Sequence, residues 1–164
     1  AGMSEDDVEF VVLSFDQQIL ALENGQVDAI GLMSPYSAEA RNNNQLKTLY
    51  DATDIFGEKQ FCDIIASTTF AAKNPETMKA FVSGITDAEN WAMENQQEAK
   101  EIISKYTGID ASKILDYRFQ ENGAVIMDDV QYWLDYMIEH DSKINTNISA
   151  SDIATNEYNE KVSE

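Results

Sequence analysis

Several residue types that carry chemistry are nearly missing from this chain of 164 residues. There is one cysteine, Cys62, so no internal disulfide can form. It lies in an apolar alternating run and reads as a small buried hydrophobe. There is one histidine, His140, at the polar end of a helical pattern, where a surface cation near the last carbonyls is the ordinary reading. One histidine and one distant cysteine give no zinc set of the usual spacing, so no metal is expected. Lys+Arg number 11 against 30 Asp+Glu, for a net charge of -19. Such a chain is repelled by phosphate backbones and anionic lipid, which argues against nucleic-acid and membrane-surface roles. No apolar run is long enough to span a bilayer, and no secretory signal pattern is present. The motifs G-x-S-x-G, G-x-x-x-x-G-K-[ST] and G-x-G-x-x-G are all missing, so no catalytic residue and no cofactor is assigned. Carboxylates are abundant enough to leave an Asp/Glu acid–base pair open, although Asp128-Asp129 reads better as a helix start.

What remains is the composition of a globular chain, with 43% hydrophobic and 25% charged residues. The length suits one ordinary domain or two small lobes. The opening is abrupt: Ala1-Gly2 runs within a few residues into an apolar stretch, as a start inside a larger architecture would. Residues 8–13, β-branched and aromatic, predict a strand. Asp16 can cap a helix carrying Ile19, Leu20 and Leu22, and Gly25 ends it. Residues 27–32 predict a second, nearly uncharged strand, central in its sheet. Ser34 and Pro35 then suit the N-cap and first position of a new helix. After the loop at Asn42-Asn43-Asn44, residues 46–50 and 61–67 predict two more strands, with 51–59 irregular between them.

From Asn74-Pro75-Glu76 onward the pattern is helical. Met78, Phe81, Val82, Ile85, Ala88, Trp91 and Ala92 share one face, with a break near Asn95. A second helix follows to Gly108, a third starts at Asp110 and includes Ile114, Leu115 and Phe119, and a fourth starts at Asp128 or Asp129. A short helix is expected within 151–158. Trp91 and Trp133 fall at helical spacing among aliphatics and read as core, with an aromatic ligand box as the alternative. Asn147-Ile148-Ser149 matches the glycosylation triplet, a pattern too common to carry weight.

The places where a predicted strand meets a predicted helix start are the candidate site. Ser14-Phe15-Asp16 and Met33-Ser34-Pro35-Tyr36 both lie there, and helix starts present free N–H groups to a small polar ligand. The plainer reading is that Ser34 and Asp16 only cap helices and the aromatics fill gaps.

These residues fall within a wider pattern. Residues 21–29, Ser34-Pro35-Tyr36, residues 65–70, 73–81 and 88–95, and Gln131 and Met137 resemble periplasmic substrate-binding proteins of ABC importers. The group is the nitrate/sulfonate/taurine binders, to which pyrimidine-precursor and riboflavin-type binders are similar. The resemblance implies an α/β chain that forms part of a two-lobed type II periplasmic-binding fold with a helix-rich carboxyl-terminal part. It matches the carboxyl-terminal half of that fold. Residues 1–60 would supply part of lobe two as strand-helix-strand-helix, and residues 61–164 would return to lobe one.

The implied ligand-binding residues are Ser14, Phe15, Asp16, Met33, Ser34, Pro35 and Tyr36, with Ser67 and Thr68 at the hinge. The implied function is capture of a small organic or anionic solute and its delivery to a membrane permease, outside the cytoplasm and with a lipoprotein anchor left open. With only Arg41 and Arg118 for bidentate anion contacts, a small organic ligand is favoured slightly over a nitrate-like anion. A ligand-sensing module and a pyrimidine-precursor-synthase-like enzyme are the alternatives on the same fold, though that enzyme group relies on His and Cys residues without counterparts here. Incomplete sheet edges would favour pairing with a second copy.

Overall fold

A computed structural model describes residues 2–140 and 143–162 of the chain. Its regular structure is helical: α1 (Phe15–Glu23), α2 (Tyr36–Arg41), α3 (Ala52–Phe56), α4 (Thr68–Lys73), α5 (Pro75–Glu94), α6 (Gln96–Thr107), α7 (Met127–His140) and α8 (Ala150–Ile153). Single 3-10 turns occupy Glu5–Asp7, Ala111–Lys113 and Glu121–Gly123.

No β-strand occurs among the described residues, which corrects the expectation at 8–13, 27–32, 46–50 and 61–67. The reason is physical. A helix satisfies its own backbone, whereas a strand needs a neighbour about 4.8 Å away to take its N–H and C=O groups. No segment supplies that ladder here. Val12 stays 98% exposed and Ile65 93%. Cys62, within the fourth of these apolar runs, is exposed rather than buried.

The helical expectations fare better. α5 starts at Pro75 behind Asn74 and ends at Asn95, as the punctuation predicts. Gly25, at φ 67°, closes α1: Gln26 N–H donates to Ala21 O at 2.8 Å and Gly25 N–H to Leu22 O at 3.1 Å. The helix expected from Asp110 is only one turn, because the Asp110 carboxylate takes the Ser112 N–H and Ile114 already leaves helical geometry. α3 and α4 were not expected. Each is opened by a side-chain cap, Asp51 on Thr53 N–H and Ser67 on Phe70 N–H.

The chain forms two compact units. The first comprises residues 1–49 and 100–115, the second residues 50–99 and 116–164. In the first, α1 packs on α2, with Ala21, Ala38 and Ile114 buried. Asn43 donates to Glu23, and Lys113 pairs with Glu39 at 3.5 Å.

In the second unit, α5 packs on α4 and on the 121–123 turn, and α7 packs on α8. Met78, Thr86, Ala92, Leu134 and Ala150 are buried. Trp133 is half-buried among Phe56, Phe61, Tyr132 and Tyr136, with ring centroids 5.0–6.4 Å away. Its indole N–H donates to Gln60 O at 2.8 Å. Trp91, by contrast, is 39% exposed, as is Phe81 at 51%, so the buried face of α5 is narrower than its apolar spacing suggests.

Five side-chain carboxamides hold the irregular stretch 117–126. Gln96 accepts from Tyr117 N–H at 2.8 Å and donates to Tyr117 O at 2.9 Å. Gln60 donates to Ala124 O and accepts from Ile126 N–H, at 3.0 and 2.7 Å. Asn156 brackets Val125 in the same way, at 2.9 Å on both sides. Asn90 accepts from Asn122 N–H, and Asn159 donates to Asn122 O and Gly123 O. A carboxamide offers the same donor and acceptor as a peptide group, so these side chains stand in for a neighbouring strand. Gly123, inside the stretch, lies at φ 60°, where a Cβ would meet Thr86 Oγ1 at 2.9 Å.

Candidate functional site

Phe15 and Tyr36, the first residues of α1 and α2, stack on each other with centroids 5.3 Å apart and planes 26° from parallel. Both were picked from sequence as residues at helix starts, and the fold of the first unit brings them into contact. Phe15 remains 36% exposed, so part of its ring faces solvent.

The polar residues around the stack arrange themselves differently from expectation. Ser14, not Asp16, is the N-cap of α1, and its carbonyl accepts from Gln17 and Gln18 N–H. Asp16 lies in the first turn. A hydrogen bond from the Ser14 side chain, then bonds from the Asp16 and Gln17 backbone N–H groups, hold its carboxyl below the usual carboxylate range. The negative charge favoured at a helix N-terminus is thus already provided by the chain itself. An added anion would meet Asp16 there.

Ser34 and Pro35 precede α2 rather than open it. The Ser34-Pro35 peptide is cis, Pro35 holds the cap position, and Tyr36 is the first helical residue. Met33 O accepts from Ser37 N–H and Pro35 O from Ala38 N–H, which turns the chain into the helix. Met33 is 48% exposed. Ser67 caps α4 and Thr68 is its first residue, both in the second unit.

No group of three or more His, Cys, Asp or Glu among the described residues is arranged to hold a metal ion. No described helix is long and apolar enough to cross a membrane. His140 ends α7 and lies against Tyr136, with centroids 4.4 Å apart.

A charged, long-range anchor on α7 in the second unit has no counterpart among the residues expected from sequence. Asp129 accepts from Gln60 N–H at 2.8 Å and from Lys59 Nζ at 3.0 Å. The Gln60 N–H, then Lys59, hold its carboxyl below the usual range. Nothing local in the sequence signals a pairing across this many residues.

Comparison with known families decides the relationship. The family model described as "NMT1/THI5 like" matches residues 1–99. The chain belongs to the NMT1/THI5-like family. The match is consistent with the nitrate/sulfonate/taurine substrate-binding group. A Brucella abortus (strain 2308) relative, named as a binding protein, is 27% identical over 116 residues, covering 70% of this chain and 36% of the relative. A Brucella suis protein, also named as a binding protein, matches to the same extent. An Escherichia coli K12 relative, named as an aliphatic sulfonates-binding protein, is 23% identical over 117 residues, covering 71% of this chain and 36% of its own length. The chain therefore spans little more than a third of the curated relatives it matches. No solved structure matches it significantly.

Proposed function

We propose that this chain supplies part of a solute-binding protein that captures a small organic or anionic solute and delivers it to the membrane permease of an ABC importer. The reading rests above all on membership of the NMT1/THI5-like family together with relatives named as binding proteins. The contact between Phe15 and Tyr36 supports a ligand site on the first unit. On this reading their rings pack against the solute's apolar part, Ser14 and Ser34 supply hydroxyls, and Asp16, Met33 and Pro35 frame them. Because the Asp16 carboxylate already places negative charge in the first turn of α1, an organic body with a polar end suits this surface better than a bare anion. Ser67 and Thr68 serve as hinge residues in the same proposal, which also keeps the lobe boundary near residue 60 and an extracytoplasmic location.

The test is thermal stabilisation of the protein, extended to the length of its relatives, by aliphatic sulfonates, nitrate, pyrimidines and flavins. A ligand present at a hundred times its Kd should add about 2.7 kcal/mol, a rise of several degrees in Tm. The F15A/Y36A double variant should lose the shift while keeping its unliganded Tm within a few degrees. A flat response across the whole panel would remove transport binding from consideration.

A further inference from the structure

We infer that the second unit carries a separate surface site for a small organic cation, in the groove between the end of α5 and the 119–122 stretch. The groove encloses about 320 Å³, the lower end of the range for small-molecule sites. Its apolar lining residues are Phe119 and Met93; its charged ones are Glu94 and Glu121.

Three observations favour a cation with an apolar body. First, the platform is fixed. Phe119 stacks on Tyr117 with centroids 5.5 Å apart and planes 1° from parallel, while Phe119 N–H donates to Met93 Sδ at 3.3 Å. Phe119 is nevertheless 36% exposed, so part of its π-surface is open to a cation. Second, Asn90 and Asn122 bond reciprocally, at 3.2 and 3.3 Å, and so hold one side of the groove in place. Third, the charge is one-sided. No Lys or Arg lines the groove, and neither the Glu94 nor the Glu121 carboxylate has an ion-pair or hydrogen-bond partner among the described residues. A quaternary or primary ammonium would neutralise these carboxylates while its carbon skeleton covers Phe119 and Met93. An anion would be repelled. A hard divalent ion would find two exposed carboxylates beside a ring and a sulfur, a poor oxygen cage.

The experiment is an amide NMR titration of the whole chain with phenyltrimethylammonium and tetramethylammonium, using benzenesulfonate and tert-butanol as anionic and neutral counterparts. The expected result is saturable shifts at Met93, Phe119 and Asn122 with the two cations only. E94Q/E121Q should weaken binding about fivefold, as two exposed ion pairs allow. F119L should weaken it about threefold, and F119Y should restore it. E9Q/E98Q removes the same net charge elsewhere and should leave the affinity unchanged. The inference is overturned if the cation shifts fail to saturate, if benzenesulfonate moves the same amides, or if E9Q/E98Q weakens binding as much as E94Q/E121Q. Because the residues lining the groove all belong to the second unit, failure here leaves the Phe15–Tyr36 site untouched, and the reverse also holds.

Discussion

Two stretches without regular structure behave in opposite ways. Residues 117–126 in the second unit have their backbone groups bracketed by Gln60, Asn90, Gln96, Asn156 and Asn159. Among the described residues of the first unit, 8–13 meet a side-chain amide only at their end, where Gln18 donates to Leu13 O at 3.2 Å, and Phe10 and Val12 are 79% and 98% exposed. The bracketed stretch is the less apolar of the two, with Arg118, Gln120, Glu121 and Asn122 among Phe119, Val125 and Ile126, so apolar content does not explain its order. What separates them is whether something else in the chain offers donors and acceptors to the backbone. Irregular backbone is held where side-chain amides replace a ladder, and left open where nothing does.

The contrast breaks most directly at Gln60. Q60A removes both bonds to the bracketed stretch and leaves the Ala124 carbonyl and Ile126 N–H without partners in a half-buried setting. The expected loss is about 3 kcal/mol, read by chemical denaturation, with faster hydrogen exchange at Ile126 as the local signature. Unchanged exchange there would show that the amide bonds do not hold the stretch.

A smaller effect should appear with acid. Asp129 has a depressed folded-state pKa, so it contributes stability above its unfolded value near pH 4 and loses it as pH falls through the folded value. Since water reaches Lys59, the contribution is held to about 1 kcal/mol. D129N should therefore be less stable than the parent at pH 7, with the gap closing towards pH 2. A gap that persists at pH 2 would assign the loss to packing rather than charge.

The smallest effect belongs to the open stretches. V12T and I65T should change stability by less than about 0.5 kcal/mol, because side chains this exposed have little burial to lose. A loss several times larger would mean that these segments are covered in solution.

The same contrast explains what could be read from sequence. Helix signals are local, so Asn74-Pro75, Asn95, Gly25 and Gly108 marked ends that the structure keeps. α7 begins at Met127, one or two residues before the expected start at Asp128 or Asp129. Strand formation is not local. Residues 8–13 and 61–67 carry a strand's composition, but the ladder depends on a neighbour that these residues cannot specify. The carboxamide brackets were invisible for a related reason. Gln60 and Ile126 are far apart in the chain, and an isolated Gln carries no pattern. At the candidate site, the residue types were legible and the capping roles were not. Phe15 and Tyr36 meet, but Ser14 displaces Asp16 as the cap, and α2 starts at Tyr36 with Pro35 rather than Ser34 in the cap position.

The placement of the two indoles has an optical consequence. Trp133, bonded to the Gln60 carbonyl within its ring of aromatics, and the partly exposed Trp91 both belong to the second unit. No tryptophan belongs to the first. Emission excited at the red edge of the absorption band therefore originates in the second unit alone, from Trp133 and Trp91. Light from the first unit must come from tyrosine, and Tyr36 is the one in contact with Phe15. A screen that watches only indole emission would follow the half of the molecule where the solute is not proposed to bind.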